Sequence, residues 1–224
     1  MKRRPEPELM DEAEQARAYA LEDFSEPNTH FIELLREFVA TPPDDVQALD
    51  LGCGPADIVI RFLRAFPRAR CDAVDGSAAM LEHARAALAE LPGVAQRCRL
   101  ICDLLPSAEL SRDHYDLILS NSLLHHLHDP QVLWRTIAEV ARPGAQVLVM
   151  DLMRPASAAW AEALVETYAG GSPEVLRRDF RNSLYAAFEP REVAEQLAEA
   201  GLSELEVAVV SDRHLAVHGR LPGG

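Results

Sequence analysis

The chain reads as an α/β protein: a doubly wound, mostly parallel sheet of seven strands with the last strand antiparallel, helices at the N-terminus and a helical insertion after the fifth strand. Three observations predict this. From Val46 to Asp151 short apolar runs alternate with helical stretches, and parallel neighbours need such crossovers. The first run ends in a Gly-x-Gly turn, Gly52-Cys53-Gly54, that opens a helix. Beyond Asp151 the alternation lapses and resumes only near Pro190.

The elements follow in order. Residues 8–24, rich in Glu, Ala, Leu and Gln, favour a leading helix that breaks at Ser25-Glu26-Pro27-Asn28. A second helix is expected over 30–40, where Phe31, Leu34, Leu35 and Phe38 share one face before Thr41-Pro42-Pro43 stops it. Strands are expected at 46–51, 70–75, 98–102, 115–120 and 145–151, with helices near 55–66, 77–91 and 130–141 between them. Residues 154–188 hold helix-forming pieces, Gly170-Gly171 and scattered aromatics without a strand. A helix at 190–200 ends at Gly201, and the runs 205–210 and 215–218 form an antiparallel pair across Ser211-Asp212-Arg213. Without repeats, low-complexity tracts or linkers, residues 1–224 are expected to form one domain. Within it, 1–45 make an N-terminal helical lid, 46–151 the ligand-binding core, 152–189 a helical cap, and 190–224 the final helix and strand pair.

Composition narrows the function. Of 224 residues, 48% are apolar and 26% charged, which suits a globular domain. The formal net charge of -14 repels phosphate backbones and anionic lipid, so neither nucleic acid nor membrane is expected as a partner. The local exceptions, Lys2-Arg3-Arg4 and Arg177-Arg178-Asp179-Phe180-Arg181, read as solvated charge. Cys53, Cys71, Cys98 and Cys102 form no CxxC pair and read as reduced thiols. The first residues lack the apolar core of a signal peptide, and no run reaches membrane-span length. A cytoplasmic monomer or homodimer is expected.

The chemistry gathers at the carboxyl edge of the sheet, where doubly wound folds bind ligands. Asp50-Leu51-Gly52-Cys53-Gly54 ends the first strand, and its glycines let the backbone approach a ligand without a Cβ in the way. Such a turn alone is also compatible with a plain strand-to-helix turn. Asp75, within Asp75-Gly76-Ser77-Ala78-Ala79-Met80, ends the second strand beside it and can accept both hydroxyls of a ribose. Asp103, in Cys102-Asp103-Leu104, ends the third. A dinucleotide is the rival ligand. Asp50 would repel its pyrophosphate but favours a cationic amino group, and Asp103 has no place in the dinucleotide pattern.

These motifs resemble the class I S-adenosylmethionine-dependent methyltransferases over roughly residues 46–151, which implies a Rossmann-like fold and S-adenosylmethionine as cofactor. The resemblance implies that Asp50, Gly52, Cys53 and Gly54 cradle the methionine moiety, that Asp75 holds the ribose, and that Met80 lies against the adenine. Asp103 and the Leu104 backbone would meet the adenine amino group. Gly76, Ser77 and Ser120 complete the implied cofactor set. The third glycine often found in the first motif is Ala56 here.

After the fourth strand, Ser120-Asn121-Ser122-Leu123-Leu124-His125-His126-Leu127-His128-Asp129-Pro130 offers three histidines and an aspartate. Ligands closely spaced on one loop rarely converge, so a turn and helix start is preferred and no metal is expected. The segment resembles His-His-x-x-Asp-Pro of small-molecule methyltransferases, including quinone-biosynthesis C-methyltransferases. It lacks the Asn-Pro-Pro-Tyr or Asp-Pro-Pro-Tyr of enzymes acting on amide or base nitrogens. A small-molecule acceptor is therefore expected, methylated by in-line displacement, with His126 and Tyr19 orienting it or removing its proton. Tyr19, Tyr168, Phe180, Tyr185 and Phe188 are candidates to line its pocket, and Arg154, Arg177, Arg178 or Arg181 to meet an acidic acceptor. Two other classes stay open, a different transfer chemistry with the same cofactor and a non-catalytic nucleoside-binding protein.

Overall fold

The computed structural model describes residues 1–6, 13–39 and 45–223. Seven strands lie in the order β3-β2-β1-β4-β5-β7-β6. β1 (Gln47–Leu51), β2 (Arg70–Asp75), β3 (Cys98–Cys102), β4 (Tyr115–Asn121) and β5 (Ala141–Leu152) pair in parallel. β7 (His214–Arg220) runs antiparallel to both β5 and β6 (Glu206–Val209). The strand order reverses between β1 and β4, which opens a crevice at their carboxyl ends.

Period-two alternation sends successive strand residues to opposite faces. Ala48, Leu117, Leu119, Leu148 and Met150 pack under α2 (Ser25–Phe38), α3 (Asp57–Ala65) and α4 (Ala78–Ala89). Leu49, Leu51, Ile118, Val147 and Val149 pack under α6 (Gln131–Val140) and α9 (Pro190–Glu199). On the second face Trp134 Nε1 donates to Gln196 Oε1 at 3.0 Å, tying α6 to α9. α1 (Ala13–Leu21) leads the chain, α5 (Pro92–Ala95) is one turn before β3, and α7 (Ala158–Ala169) and α8 (Glu174–Ala186) follow β5. α7 and α8 enclose a smaller cluster of their own, including Leu152, Leu164, Val165 and Leu184.

Some boundaries differ from those expected. α2 begins at Ser25, because Pro27 falls in its first turn, where a missing N–H breaks no intrahelical bond. β5 begins at Ala141 rather than 145: Ala141 already pairs with Tyr115, and a register shift absorbs Pro143-Gly144. The start of the leading helix at residues 8–12 lies outside the described residues. Among the described residues no helix is long and apolar enough to cross a membrane.

Candidate active site

A cavity of about 710 Å³ opens over the carboxyl ends of β1, β2 and β4 and is roofed by residues of α1, α2 and α8. At its floor Asp50 is 1% exposed, and its Oδ1 has no hydrogen-bond partner among the described residues. Burial, and then the charge of Asp75, push this carboxyl up to about 7. A buried anion in that state is costly until a cation reaches it. Asp75 accepts hydrogen bonds from Gly54 N through Oδ2 and from Ser77 N through Oδ1, both at 2.8 Å. Burial raises its pKa against those two bonds, and lone pairs remain for a ligand's hydroxyls. Gly52 has φ +75°, and a Cβ there would meet Leu123 Cβ at 2.9 Å, whereas a Cβ on Gly54 would meet nothing within 4 Å. The turn is thus closed on the protein side at Gly52 and open at Gly54. Ser77 Oγ accepts from Met80 N and caps α4. Asp103 accepts from Leu104 N and from Ser107 Oγ at the rim.

The opposite wall is built from the ends of β4 and β5. A 3-10 turn, Leu124–His126, follows β4. Asp151, 1% exposed near the end of β5, accepts from Leu124 N at 2.7 Å and binds His125 Nδ1 at 2.6 Å. Burial opposes the charge on His125, but Asp151 and then Glu6 outweigh it and hold its pKa above the ordinary value. Glu6 arrives from the N-terminal tail, with Oε1 3.7 Å from His125 Nε2 and 3.4 Å from His126 Nδ1. Ser183 Oγ of α8 donates to it at 2.9 Å. The tail is pinned by Arg3, which donates to the carbonyls of Ala186, His125 and Leu127 and lies over the Phe188 ring. Tyr19 lines the same cavity from α1 and packs on Phe24. Burial, and then the charges of Asp75, Asp57 and Asp151, push its phenol up to about 12.

Residues 49–147 match the methyltransferase domain family. A malonyl-[acyl-carrier protein] O-methyltransferase of Hahella chejuensis is 33% identical over 114 residues, 50% of this chain and 37% of that protein. A demethylmenaquinone methyltransferase of Roseiflexus castenholzii is 24% identical over 196 residues, 83% of this chain and 80% of that protein. Among solved structures, a SAM-dependent methyltransferase from Aquifex aeolicus shares the fold at a TM-score of 0.66 with 17% identity, covering 92% of this chain and 97% of that one. The chain is thus similar to a methyltransferase domain over somewhat under half of its length, and it shares the fold of a SAM-dependent methyltransferase structure. The matched stretches span 37 to 60% of the first curated relatives.

Most residues expected for the cofactor meet at one end of the cavity. Asp50, Gly52, Cys53, Gly54, Asp75, Gly76, Ser77, Met80, Asp103 and Leu104 all line it. Ser120 does not: it is wholly buried, and its hydroxyl donates to Leu51 O at 2.8 Å, bracing β4 against β1. Tyr19, His126, Tyr168 and Phe180 reach the cavity, while Tyr185 and Phe188 instead carry the arginines of the tail. Arg3 is therefore not the solvated charge expected of the tail, whereas Arg4 stays exposed. The arginines expected to meet an acidic acceptor are paired elsewhere: Arg154 with Glu189 and Glu192, Arg177 with Glu166, Arg178 with Asp179 and Arg181 with Glu162. Asp129 takes part in the helix start, accepting from Gln131 N. His125 was weighed only among the histidines of the loop, and its partner Asp151 was not singled out from sequence, although a carboxylate near the tip of the fifth strand was a usable signal. Glu6 offered none, because its role depends on a contact with residues far away in the chain.

Proposed function

We propose that this protein transfers a methyl group from S-adenosylmethionine to a small-molecule acceptor. The observation that carries the reading is Asp50: a buried carboxylate with an unpartnered oxygen, between the Gly52 turn and Asp75, matches the cationic amino end of the cofactor. A pyrophosphate there would meet like charge. The cofactor, when bound, supplies a methyl group on a sulfonium that is already electrophilic.

The chain's own residues then have separate tasks. Asp50 and the Gly52–Gly54 turn hold the amino-acid end, Asp75 takes the ribose hydroxyls, and Met80, Asp103 and Leu104 bound the adenine. The acceptor enters from the β4–β5 side, with His126 and Tyr19 beside the reacting centre. Tyr19 serves as a hydrogen-bond donor rather than a base, because its phenol keeps its proton. His126 receives or orients the acceptor's proton. The lid of α1, α2, α7 and α8 excludes water, so positioning supplies much of the rate.

The test is a thermal-shift and turnover series. S-adenosylmethionine and S-adenosylhomocysteine should raise the melting temperature while NAD and NADP leave it unchanged. Acceptor candidates incubated with methyl-labelled cofactor should gain a methyl group by mass. A shift with NAD alone would remove the cofactor assignment, and transfer of a larger group would move the protein to a different chemistry. Cofactor binding without transfer to any acceptor tried would favour the nucleoside-binding class.

A further inference from the structure

We infer that Glu6, His125 and His126 form a binding site for one divalent transition-metal ion on the acceptor wall of the cavity. No metal was expected from the spacing of the histidine run. The fold changes the ligand set: Asp129 leaves to start α6, His128 Nε2 turns to the Glu6 carbonyl oxygen, and a carboxylate from the tail takes their place.

Three features make the cluster a site. The ligand atoms of Glu6, His125 and His126 all lie within 4.8 Å of one another. Glu6 Oε1 stands 3.4 Å from His126 Nδ1 and 3.7 Å from His125 Nε2, whereas tetrahedral zinc with bonds near 2.0–2.1 Å separates its ligands by about 3.3 Å. Closure onto an ion needs shifts of only a few tenths of an ångström along those two edges. The first histidine also has its outer partner in place. His125 Nδ1 is bonded to the buried Asp151 carboxylate at 2.6 Å, which turns Nε2 toward Glu6, where an ion would displace any proton on that nitrogen, the carboxylate–histidine arrangement that orients metal-bound imidazoles. Ser183 and the arginine-pinned tail hold the third ligand.

Two imidazoles and one carboxylate suit zinc, iron, nickel or cobalt rather than magnesium or calcium. Three ligands among the described residues leave a fourth position, as catalytic zinc sites do. Both histidines line the cavity, so that position faces the space assigned to the acceptor and fits an acceptor oxygen. The site is independent of the methyl-transfer reading, since it is measured without cofactor.

The experiment titrates chelator-treated full-length protein with Zn²⁺ by calorimetry and with Co²⁺ by absorption, in a Cys102→Ser background that removes the exposed thiol. One Zn²⁺ should bind per chain, and Co²⁺ should show the visible bands of a nitrogen- and oxygen-ligated ion. Glu6→Gln and His125→Ala should each abolish stoichiometric binding, and Asp151→Asn should weaken it about 10- to 100-fold. Circular dichroism and the melting temperature of the metal-free protein verify that each variant is folded. Because Glu6→Gln alters only a tail residue, it keeps the test sound should a buried-site variant misfold. No binding to the parent protein, or one-to-one binding that survives Glu6→Gln, overturns the site.

Discussion

Replacing Asp50 with Asn should make the cofactor-free protein more stable and its cofactor binding worse. The carboxyl moves from 3.8 in the unfolded chain to about 7 when buried. A carboxyl raised in the folded state binds more protons there than in the unfolded chain. Its penalty is therefore absent below the unfolded value, grows as pH rises and is complete above about 7. At about 1.4 kcal/mol per pKa unit, the ionised group costs folding on the order of 4 kcal/mol at pH 8. Asparagine removes the charge but leaves an amide imperfectly bonded, worth roughly 1–3 kcal/mol, so a net gain of about 1–3 kcal/mol remains. For a chain of this size that is roughly a 3–10 °C rise in melting temperature at pH 8, shrinking toward zero or reversing near pH 4. The lost ion pair with the cofactor's amino group, about 1.5–3 kcal/mol, should weaken binding roughly 10- to 150-fold. Scanning fluorimetry at several pH values and calorimetry with S-adenosylhomocysteine measure both. An Asp50→Asn protein that melts no higher than wild type at pH 8, or that keeps wild-type affinity, would refute the picture of a stranded anion awaiting a cation.

Asp75→Ala should weaken cofactor binding about 30-fold or more, since a charge-assisted pair of hydrogen bonds is worth about 2–4 kcal/mol; unchanged affinity by calorimetry would place the ribose elsewhere. Gly52→Ala should lower stability by about 1–3 kcal/mol in urea unfolding, because its backbone is left-handed and its new methyl meets Leu123. Ala56, which takes the place of a third glycine, sits at φ +68°, so Ala56→Gly should raise stability in urea unfolding by up to about 1 kcal/mol; a fall would show that the buried methyl matters more. His126→Ala should lower turnover about 100-fold or more with cofactor affinity kept, and Tyr19→Phe should lower it more mildly without shifting the pH profile between pH 6 and 9. Full turnover in both variants would remove them from the reacting centre.

The sheet and the gathering of residues at its carboxyl edge were legible because their information is local. Each β-strand in the core carries its own alternation, and Asp50, Gly52, Gly54, Asp75 and Asp103 each fall at a strand end, so that finding the strands aligns the residues. Ser120 satisfies the same positional rule and still faces inward, since residues alternate across a strand and its neighbour Asn121 takes the cavity side. The start of α2 was obscured by Pro27, which reads as a breaker in sequence and is tolerated in a first turn. The wall at the ends of β4 and β5 was least legible. Its carboxylate comes from residue 6 and its histidines from 125 and 126, and only the packing of the tail across α8 brings them together.

The charges around the cavity also narrow the acceptor. Asp50, Asp57, Asp75, Asp103 and Asp179 line it, and the two arginines that do so are already engaged, Arg61 by Asp57 and Arg213 by Asp212 and Glu26. A concave site of one sign raises the local concentration of the opposite charge, which favours the cationic cofactor over its product once the sulfonium charge is gone. The same field opposes an acceptor that carries a free carboxylate, because among the described residues both arginines lining the cavity are paired. A metal ion on Glu6, His125 and His126 would change that balance at one point only, by giving an anionic oxygen a cation to bind on the side of the cavity away from Asp50 and Asp75.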